Sequence, residues 1–369
     1  MKKTALVLAI SAGITTGGGV SAASMDDRVK AMEKRLQYLE QRVSSQGDVI
    51  REKDKQISEL SENTGDGWFQ SIEFGGLVEV EAQRVSPDGE DDSSDIYVAT
   101  VELGVAAQVN DWTEAEIVLL YEDEGDHSGE IDVDTGTITI ADPDSFWFVT
   151  AGQYALAFGD YSTNLISDPI TLDAAETNDA VIEAGIEMAG VNASAYVFKG
   201  DQETEISNGG LKLGYTLERD LFALSGSLGW INDFGESNAV VDEGTAQTNK
   251  AAAWTAFAQL DVGPVTVIGE YVAATEALDA YSTTDEPSAY NLEAAYHFEV
   301  MSKPSTFAVG LQGTDEASAF AGGLDEKRTM AALSMEILEG ASLAIEYTKA
   351  EDYDGVENDI ITSQLAVEF

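Results

Sequence analysis

The sequence predicts an all-β transmembrane barrel of about 16 antiparallel strands, preceded by an N-terminal α-helical coiled-coil segment. Three observations carry this reading. Beyond residue 65, apolar and polar side chains alternate with period 2 in runs of roughly ten residues. The connections between runs alternate between tight turns and long polar loops. Aromatic residues gather at the run ends, where an apolar body with a polar tip suits the headgroup level of a bilayer.

Residues 1–23 read as a secretory signal: Lys2 and Lys3 give a positive start, Ala5 to Ile14 an apolar core, and Val20-Ser21-Ala22 or Ser21-Ala22-Ala23 a cleavage site. That apolar run is too short for a spanning helix, and no later stretch supplies one. Residues 24–64 form the expected periplasmic coiled coil. Val29, Leu36, Val43, Ile50 and Ile57 occupy a positions, and Met32, Leu39 and Leu60 occupy d positions. The seam is narrower than the stripe a helix needs to pack on a globular surface. Branched residues at a with Leu at d favour two strands, whereas porin-like barrels assemble in threes, so the number of partners stays open. A helix from Val29 to Leu60 would run on the order of 48 Å.

Residues 65–369 form the expected barrel. Ile72, Phe74, Val78 and Val80 alternate with Glu73, Gly75, Glu79 and Glu81; Tyr97, Ala99, Val101, Leu103 and Val105 alternate with Val98, Thr100, Glu102 and Gly104. Every even-numbered strand meets a turn signal: Asn110-Asp111, Asp142-Pro143-Asp144, Ala189-Gly190, Glu218-Arg219-Asp220, Gly263-Pro264, Ser302-Lys303-Pro304 and Glu339-Gly340. Odd-numbered strands end in longer loops such as Ser86 to Ser94 and Asn232 to Lys250. A soluble sandwich also alternates, but it has no general reason to keep its short turns on one side. The last run, Ile361, Ser363, Leu365, Val367 and Phe369, ends on an aromatic, which resembles the insertion signal of outer-membrane barrels.

The formal charge is −49, with 68 Asp and Glu against 19 Lys and Arg, and cysteine is absent. These numbers exclude a disulfide framework and a thiolate metal site, and they disfavour nucleic acid. The acidity suits cations, or a saline habitat. With apolar side chains facing outer-membrane lipid, the opposite parity places Glu73, Glu79, Glu81, Glu102, Glu114, Glu116, Glu183, Glu187, Glu270, Glu293, Glu336 and Glu346 on the lumen, with Lys212 as the chief basic member. Solvation in a wet pore is the expected state of these carboxylates, and such a pore favours cations. Lumen-side Gly75, Gly104, Gly185, Gly214 and Gly229 are expected to leave room. The longest connection, Ala155 to Asn178, mixes apolar and polar residues and is expected to fold inward as a constriction. Phe158, Gly159, Asp160, Tyr161, Asn164, Asp168, Asp173 and Glu176 are its candidate residues.

At this loop the sequence resembles the LbtU-type siderophore porins, through Thr163-Asn164, Ile166-Ser167-Asp168-Pro169, Thr171-Leu172 and Glu176-Thr177. Ala99 to Gly104, Asn110-Asp111-Trp112, Leu119 to Glu122 and Ser194 to Phe198 flank the match, which weakens beyond Asn208. Many members carry Pro where this chain has Ala157. The resemblance implies an outer-membrane porin of a Gram-negative bacterium that takes up ferric siderophores without an energised plug. Many ferric siderophores are anionic, and a carboxylate-lined lumen should resist them.

Three functions compete. The first is a passive channel for small solutes, siderophore-selective or generally cation-preferring, requiring no cofactor and working as a homo-oligomer. The second is a structural outer-membrane protein whose stalk faces the cell wall. The third is a membrane hydrolase using His297 with Asn291 and Glu293, although the sequence places no serine beside them. Acidic clusters such as Asp88 to Asp95 lack the spacing of a calcium loop. Deletion of the Ala155–Asn178 loop should raise planar-bilayer conductance; an unchanged value would place that loop over the outer mouth instead.

Overall fold

The computed structural model describes residues 69–369 except 90, 124–128, 242–248, 279–283 and 319–323. The signal segment 1–23 and the heptad segment 24–64 lie outside the described residues. Sixteen strands follow one another: β1 (Ser71–Pro87), β2 (Ser93–Asn110), β3 (Thr113–Glu122), β4 (Ile131–Ala141), β5 (Trp147–Ala155), β6 (Asn178–Met188), β7 (Val191–Phe198) and β8 (Asn208–Arg219). The second half is β9 (Phe222–Ile231), β10 (Ala253–Val262), β11 (Val265–Ala274), β12 (Ser288–Val300), β13 (Lys303–Asp315), β14 (Lys327–Leu338), β15 (Ala341–Glu351) and β16 (Glu357–Glu368). Each pairs antiparallel with its chain neighbours, and β1 pairs with β16, so the sheet closes on itself. No described helix is long and apolar enough to cross a membrane; the strands form the closed wall.

Closure is completed at the C-terminus. Gly76 N donates to Phe369 O at 2.9 Å and Phe369 N donates to Gly76 O at 3.0 Å, extending the β1–β16 ladder to the last residue. The tight turns join even strands to the next odd strand, and two of them use left-handed backbone at both central residues. Ala189 and Gly190 have φ of 55° and 82°, and Met301 and Ser302 have φ of 52° and 64°. Positive φ at both positions matches the right-handed twist of the flanking strands, which is why two residues suffice.

Alternation sorts the side chains as period 2 demands. Leu103, Ile117, Ile182, Leu228, Leu292, Leu311 and Ile345 are exposed on the outer face, whereas Ile268, Ala295, Ala308 and Met330 are buried on the inner one. Aromatic contacts cluster outside, including Trp112–Trp147 at 6.0 Å and Trp254–Tyr271 at 5.3 Å between centroids. One departure from the expected parity occurs on β2. Glu79 faces Thr100 but Val80 faces Val98, so Ala99 bulges and the strand beyond it changes face. Tyr97 therefore points inward, buried, and donates to Glu81 at 2.9 Å, while Ile96 and Val98 are the exposed outer residues. A one-residue bulge moves every following side chain across the sheet, and an unbroken count of two cannot anticipate it.

Leu292, at the middle of β12 and half exposed on the outer face, tests what that face meets. Leu292→Arg should destabilise the folded barrel in lipid vesicles by about 2–4 kcal/mol, measured by equilibrium urea unfolding. A cost well under about 1 kcal/mol would mean that hydrocarbon does not contact this face.

Candidate functional site: the barrel interior

The β5–β6 connection runs inside the wall rather than over it. It leaves Ala155, travels past β8 and β9, reaches across to β15, turns at Ser167-Asp168-Pro169, and returns through a short helix, α1 (Ile170–Ala175). Its outward leg is seated on three wall carboxylates in succession. Asp160 N donates to Glu270 Oε1 at 2.9 Å, and Tyr161 N donates to Glu270 Oε2 at 3.2 Å. Tyr161 has φ of 51°, and a left-handed residue at this corner lets successive N–H groups converge on one anion. Next along the chain, Asn164 N and Nδ2 reach Glu293 Oε1 at 2.8 and 2.7 Å, while Thr163 Oγ1 donates to Glu293 Oε2 at 2.8 Å. Ile166 N then donates to Glu346 Oε2 at 2.7 Å and Ser167 Oγ to Glu346 Oε1 at 2.6 Å.

The return leg repeats the pattern. Ile170 N donates to Gln312 Oε1 at 3.1 Å, and Thr171 Oγ1 donates to Glu270 Oε2 at 2.8 Å. Arg328 on β14 holds Asp173 at 3.0 Å and Asp325 at 2.6 Å. Lys212 on β8 holds Asp160 at 3.1 Å and donates to Gly159 O at 2.8 Å, and Ser227 also donates to Asp160. Beneath the segment lies an apolar cluster within the barrel, formed by Leu156, Phe158, Ile170, Ala174, Phe198 and Ile231 together with Phe234 and Val240 from the β9–β10 connection.

These contacts correct the expectation of solvated carboxylates at four positions. Glu270, Glu293 and Glu346 are 3%, 2% and 1% exposed, and Glu183, at 7%, accepts from Tyr154 Oη at 2.6 Å. A buried carboxylate is tolerated when amides and hydroxyls fill its lone pairs; the inward segment supplies them to Glu270, Glu293 and Glu346, and Tyr154 of β5 supplies one to Glu183. The remaining inner-face carboxylates are more open. Glu73, Glu114 and Glu187 are exposed near the strand ends that meet the short turns, and Glu336 is half-buried near such an end. Glu79, Glu81, Glu102 and Glu116 are half-buried on the wall formed by β1–β3.

Gly229 is a second correction. Its lumen-side space is filled: a Cβ there would lie 2.1 Å from the carbonyl oxygen of Phe158. Gly310 plays the same part further along, where a Cβ would lie 2.8 Å from Leu165 Cδ1. Gly185 and Gly214 are filled as well, a Cβ there meeting Phe148 Cζ at 2.4 Å and Asn192 Oδ1 at 2.8 Å, whereas Gly75 and Gly104 leave room for one, with nothing nearer than 4.0 and 3.9 Å.

The candidate constriction residues divide by position. Phe158 is packed into the cluster, Gly159 through Asn164 line the outward leg, Asp168 is exposed at the tip, and Asp173 and Glu176 belong to the return. Sequence reasoning missed Arg328. Parity on β14 would have placed it inside, but no pattern linked it to Asp173, 155 positions away. Sequence reasoning marked the β9–β10 connection only as a long loop, but helix α2 (Asn238–Val241) of that connection meets the return leg: Asn238 N donates to Glu176 O at 2.8 Å and Asn238 Nδ2 to Glu176 Oε2 at 3.2 Å. His297 lies between two threonines, with Nε2 3.0 Å from Thr266 Oγ1 and Nδ1 3.0 Å from Thr306 Oγ1. Both ring nitrogens are thus engaged away from Asn291 and Glu293, contrary to the grouping a hydrolase would need.

Beside the segment opens a cavity of about 950 Å³ lined by Glu122, Asp132, Asp134, Asp179, Asp201 and Glu236, with Asn178 and Asn238. Glu236 accepts from Asp201 N at 2.9 Å and Asn208 Nδ2 at 3.2 Å; burial pushes its carboxyl up, against these bonds. Of the nine Lys and Arg beyond residue 65, only Lys212 and Arg328 stand on the inner face of a strand, and both are paired with aspartates.

No protein-family model matches the chain. It is 25% identical over 304 residues to a UPF0422 protein of Coxiella burnetii, covering 76% of this chain and 64% of that protein. It is 27% identical over 299 residues to UPF0422 proteins of Legionella pneumophila, covering 70% of this chain and 55% of those. The chain therefore spans less than two thirds of the length of these relatives. Among solved structures it resembles OprB of Pseudomonas putida with a TM-score of 0.58 and 9% identity over 81% of this chain and 94% of that one. An anion-selective porin from Comamonas acidovorans matches at 0.56 with 12% identity, covering 81% and 99%. Salmonella typhi OmpF, in complex with daunomycin, matches at 0.55 with 11% identity, covering 81% and 97%. The fold is the one these outer-membrane porins share.

Glu293→Ala tests the seating. It would leave the Asn164 amide and the Thr163 hydroxyl without their acceptor, at about 1–3 kcal/mol for each buried group. Faster amide exchange at Asn164 with the barrel still closed is the expected result; unchanged exchange would show that Glu293 does not hold the segment.

Proposed function

We propose that the chain is a passive outer-membrane porin for small solutes that prefers cations. One observation carries this reading: charge is segregated across the lumen. On the wall that bears the inward segment, Glu270, Glu293 and Glu346 are saturated by N–H and O–H donors, and Lys212 and Arg328 are paired. The opposite wall carries Glu79, Glu81, Glu102 and Glu116, and the inner faces of β1–β6 and β16 hold no Lys or Arg. A water path between segment and wall therefore runs past carboxylates, which lower the energy of a cation there and raise that of an anion.

The ferric siderophore reading gains less support. Thr163, Asn164, Ile166, Ser167 and Thr171, which carry the resemblance to LbtU-type porins, are the residues that seat the segment on Glu270, Glu293 and Glu346. Their likeness thus bears on how the segment is held rather than on what passes it. Assembly as a homotrimer belongs to the proposal, supported by the fold shared with Vibrio cholerae OmpT, solved in a trimer form at TM-score 0.51 and 16% identity.

The test is the reversal potential of the refolded protein in a planar bilayer under a tenfold KCl gradient. Cation selectivity is expected, reduced severalfold in a Glu79→Gln, Glu81→Gln, Glu102→Gln triple variant. Anion selectivity, or block by a ferric siderophore at low concentration, would overturn the preference. A folded barrel that carries no current would favour a structural role instead.

A further inference from the structure

We propose that Glu176 and Asn238 form a proton-dependent latch between the inward segment and the β9–β10 connection, and that loss of the Glu176 proton loosens the return leg. Three hydrogen bonds close the junction. Asn238 donates from its backbone to Glu176 O at 2.8 Å and from its side chain to Glu176 Oε2 at 3.2 Å, and its Oδ1 accepts from Asn178 N at 3.1 Å. Asn178 in turn donates to Asp134 Oδ1 at 3.0 Å, tying the junction to β4. The junction thus joins two inward-folded connections at the edge of the acid-lined cavity, where the return leg re-enters the wall at β6.

Glu176 is partly buried there, and the charged groups that bear on it are acidic: Asp134 from β4, Glu122 from β3 and Asp168 from the tip of its own segment. The phenol of Tyr161, on the outward leg, is buried within electrostatic range of it. Burial first, and then these three carboxylates, push the Glu176 carboxyl up to about 7; the Asn238 hydrogen bond opposes them. A carboxyl whose affinity for its proton is raised in the seated state favours seating while it keeps that proton. Below its ordinary value of 4.5 the seated and loosened states are both protonated. Between there and about 7 only the seated state keeps the proton, and above about 7 the seated state must bury a charge among like charges. The latch therefore weakens as pH rises through this window.

The seating itself does not depend on the porin reading; its effect on current does. The chain is free of cysteine, so one introduced thiol can be labelled selectively. Leu172→Cys in α1, half-buried and outside the anchoring bonds, would carry a nitroxide whose mobility is read by electron paramagnetic resonance in lipid vesicles. A severalfold rise in the mobile fraction between pH 5.5 and 8, with a midpoint near 7, is expected. Adding Glu176→Gln should flatten the curve at the low-mobility level, and Asn238→Ala should raise mobility at both ends. A flat curve in the Leu172→Cys protein alone, or an unchanged midpoint with Glu176→Gln, would overturn the latch. Single-channel records on the same protein separate the two ideas. Current that fluctuates more above pH 7 supports both; mobility that titrates without any current supports the latch and removes the porin.

Discussion

Hydrocarbon offers no partner to a backbone amide, and that constraint shapes the barrel from β1 to β16. Each unpaired N–H or C=O inside a bilayer costs several kcal/mol, so a spanning sheet must leave no edge. The β1–β16 ladder, running to Phe369, removes the edge. Once closed, a period-2 strand has no choice about where its side chains go. The apolar set takes the outer face, and the glutamates at mid-strand are confined to the interior with whatever partners that interior contains.

Confinement turns the lumen carboxylates into a structural resource. Glu270, Glu293 and Glu346 stand on β11, β12 and β15, spaced along the wall so that a segment crossing it meets them in turn. A carboxylate buried alone would be prohibitive, and so would a length of irregular backbone buried alone. Each supplies what the other lacks. The segment is held by its own main chain, which is why residues as different as Asp160, Asn164 and Ile166 can serve as contacts. Side-chain chemistry enters at the threonines, at Asn164, at Ser167 and at the two aspartates facing Lys212 and Arg328.

Much of the architecture was legible in the amino-acid order because two local signals repeat. Alternation marked the strands, and turn residues such as Ala189-Gly190 and Gly263-Pro264 marked one side of the barrel. The reading failed where a local rule was broken by one residue, at the Ala99 bulge that carries Tyr97 inside. It failed again where distance along the chain hid proximity. Parity put Glu293 and Glu346 on the inner face, but whether water or backbone would meet them depended on a loop more than a hundred residues earlier. Glu79 and Glu293 look alike in sequence, each a glutamate among alternating neighbours; only the path of residues 156–177 separates their environments.

That path also fixes an order of events in assembly. Contacts that close large loops must wait until both partners exist, and those of the inward segment span 110 positions to Glu270 and 180 to Glu346. The segment lies in the first half of the chain, while its seats lie on strands made in the second. Until β15 is in the wall, the tip at Ser167 has nothing to bind, and an unfinished barrel holds both exposed main chain and unshielded carboxylates in its interior. Completing the sheet and filling the lumen are thus coupled late steps, and an interrupted barrel is marked by an interior that has not yet neutralised itself.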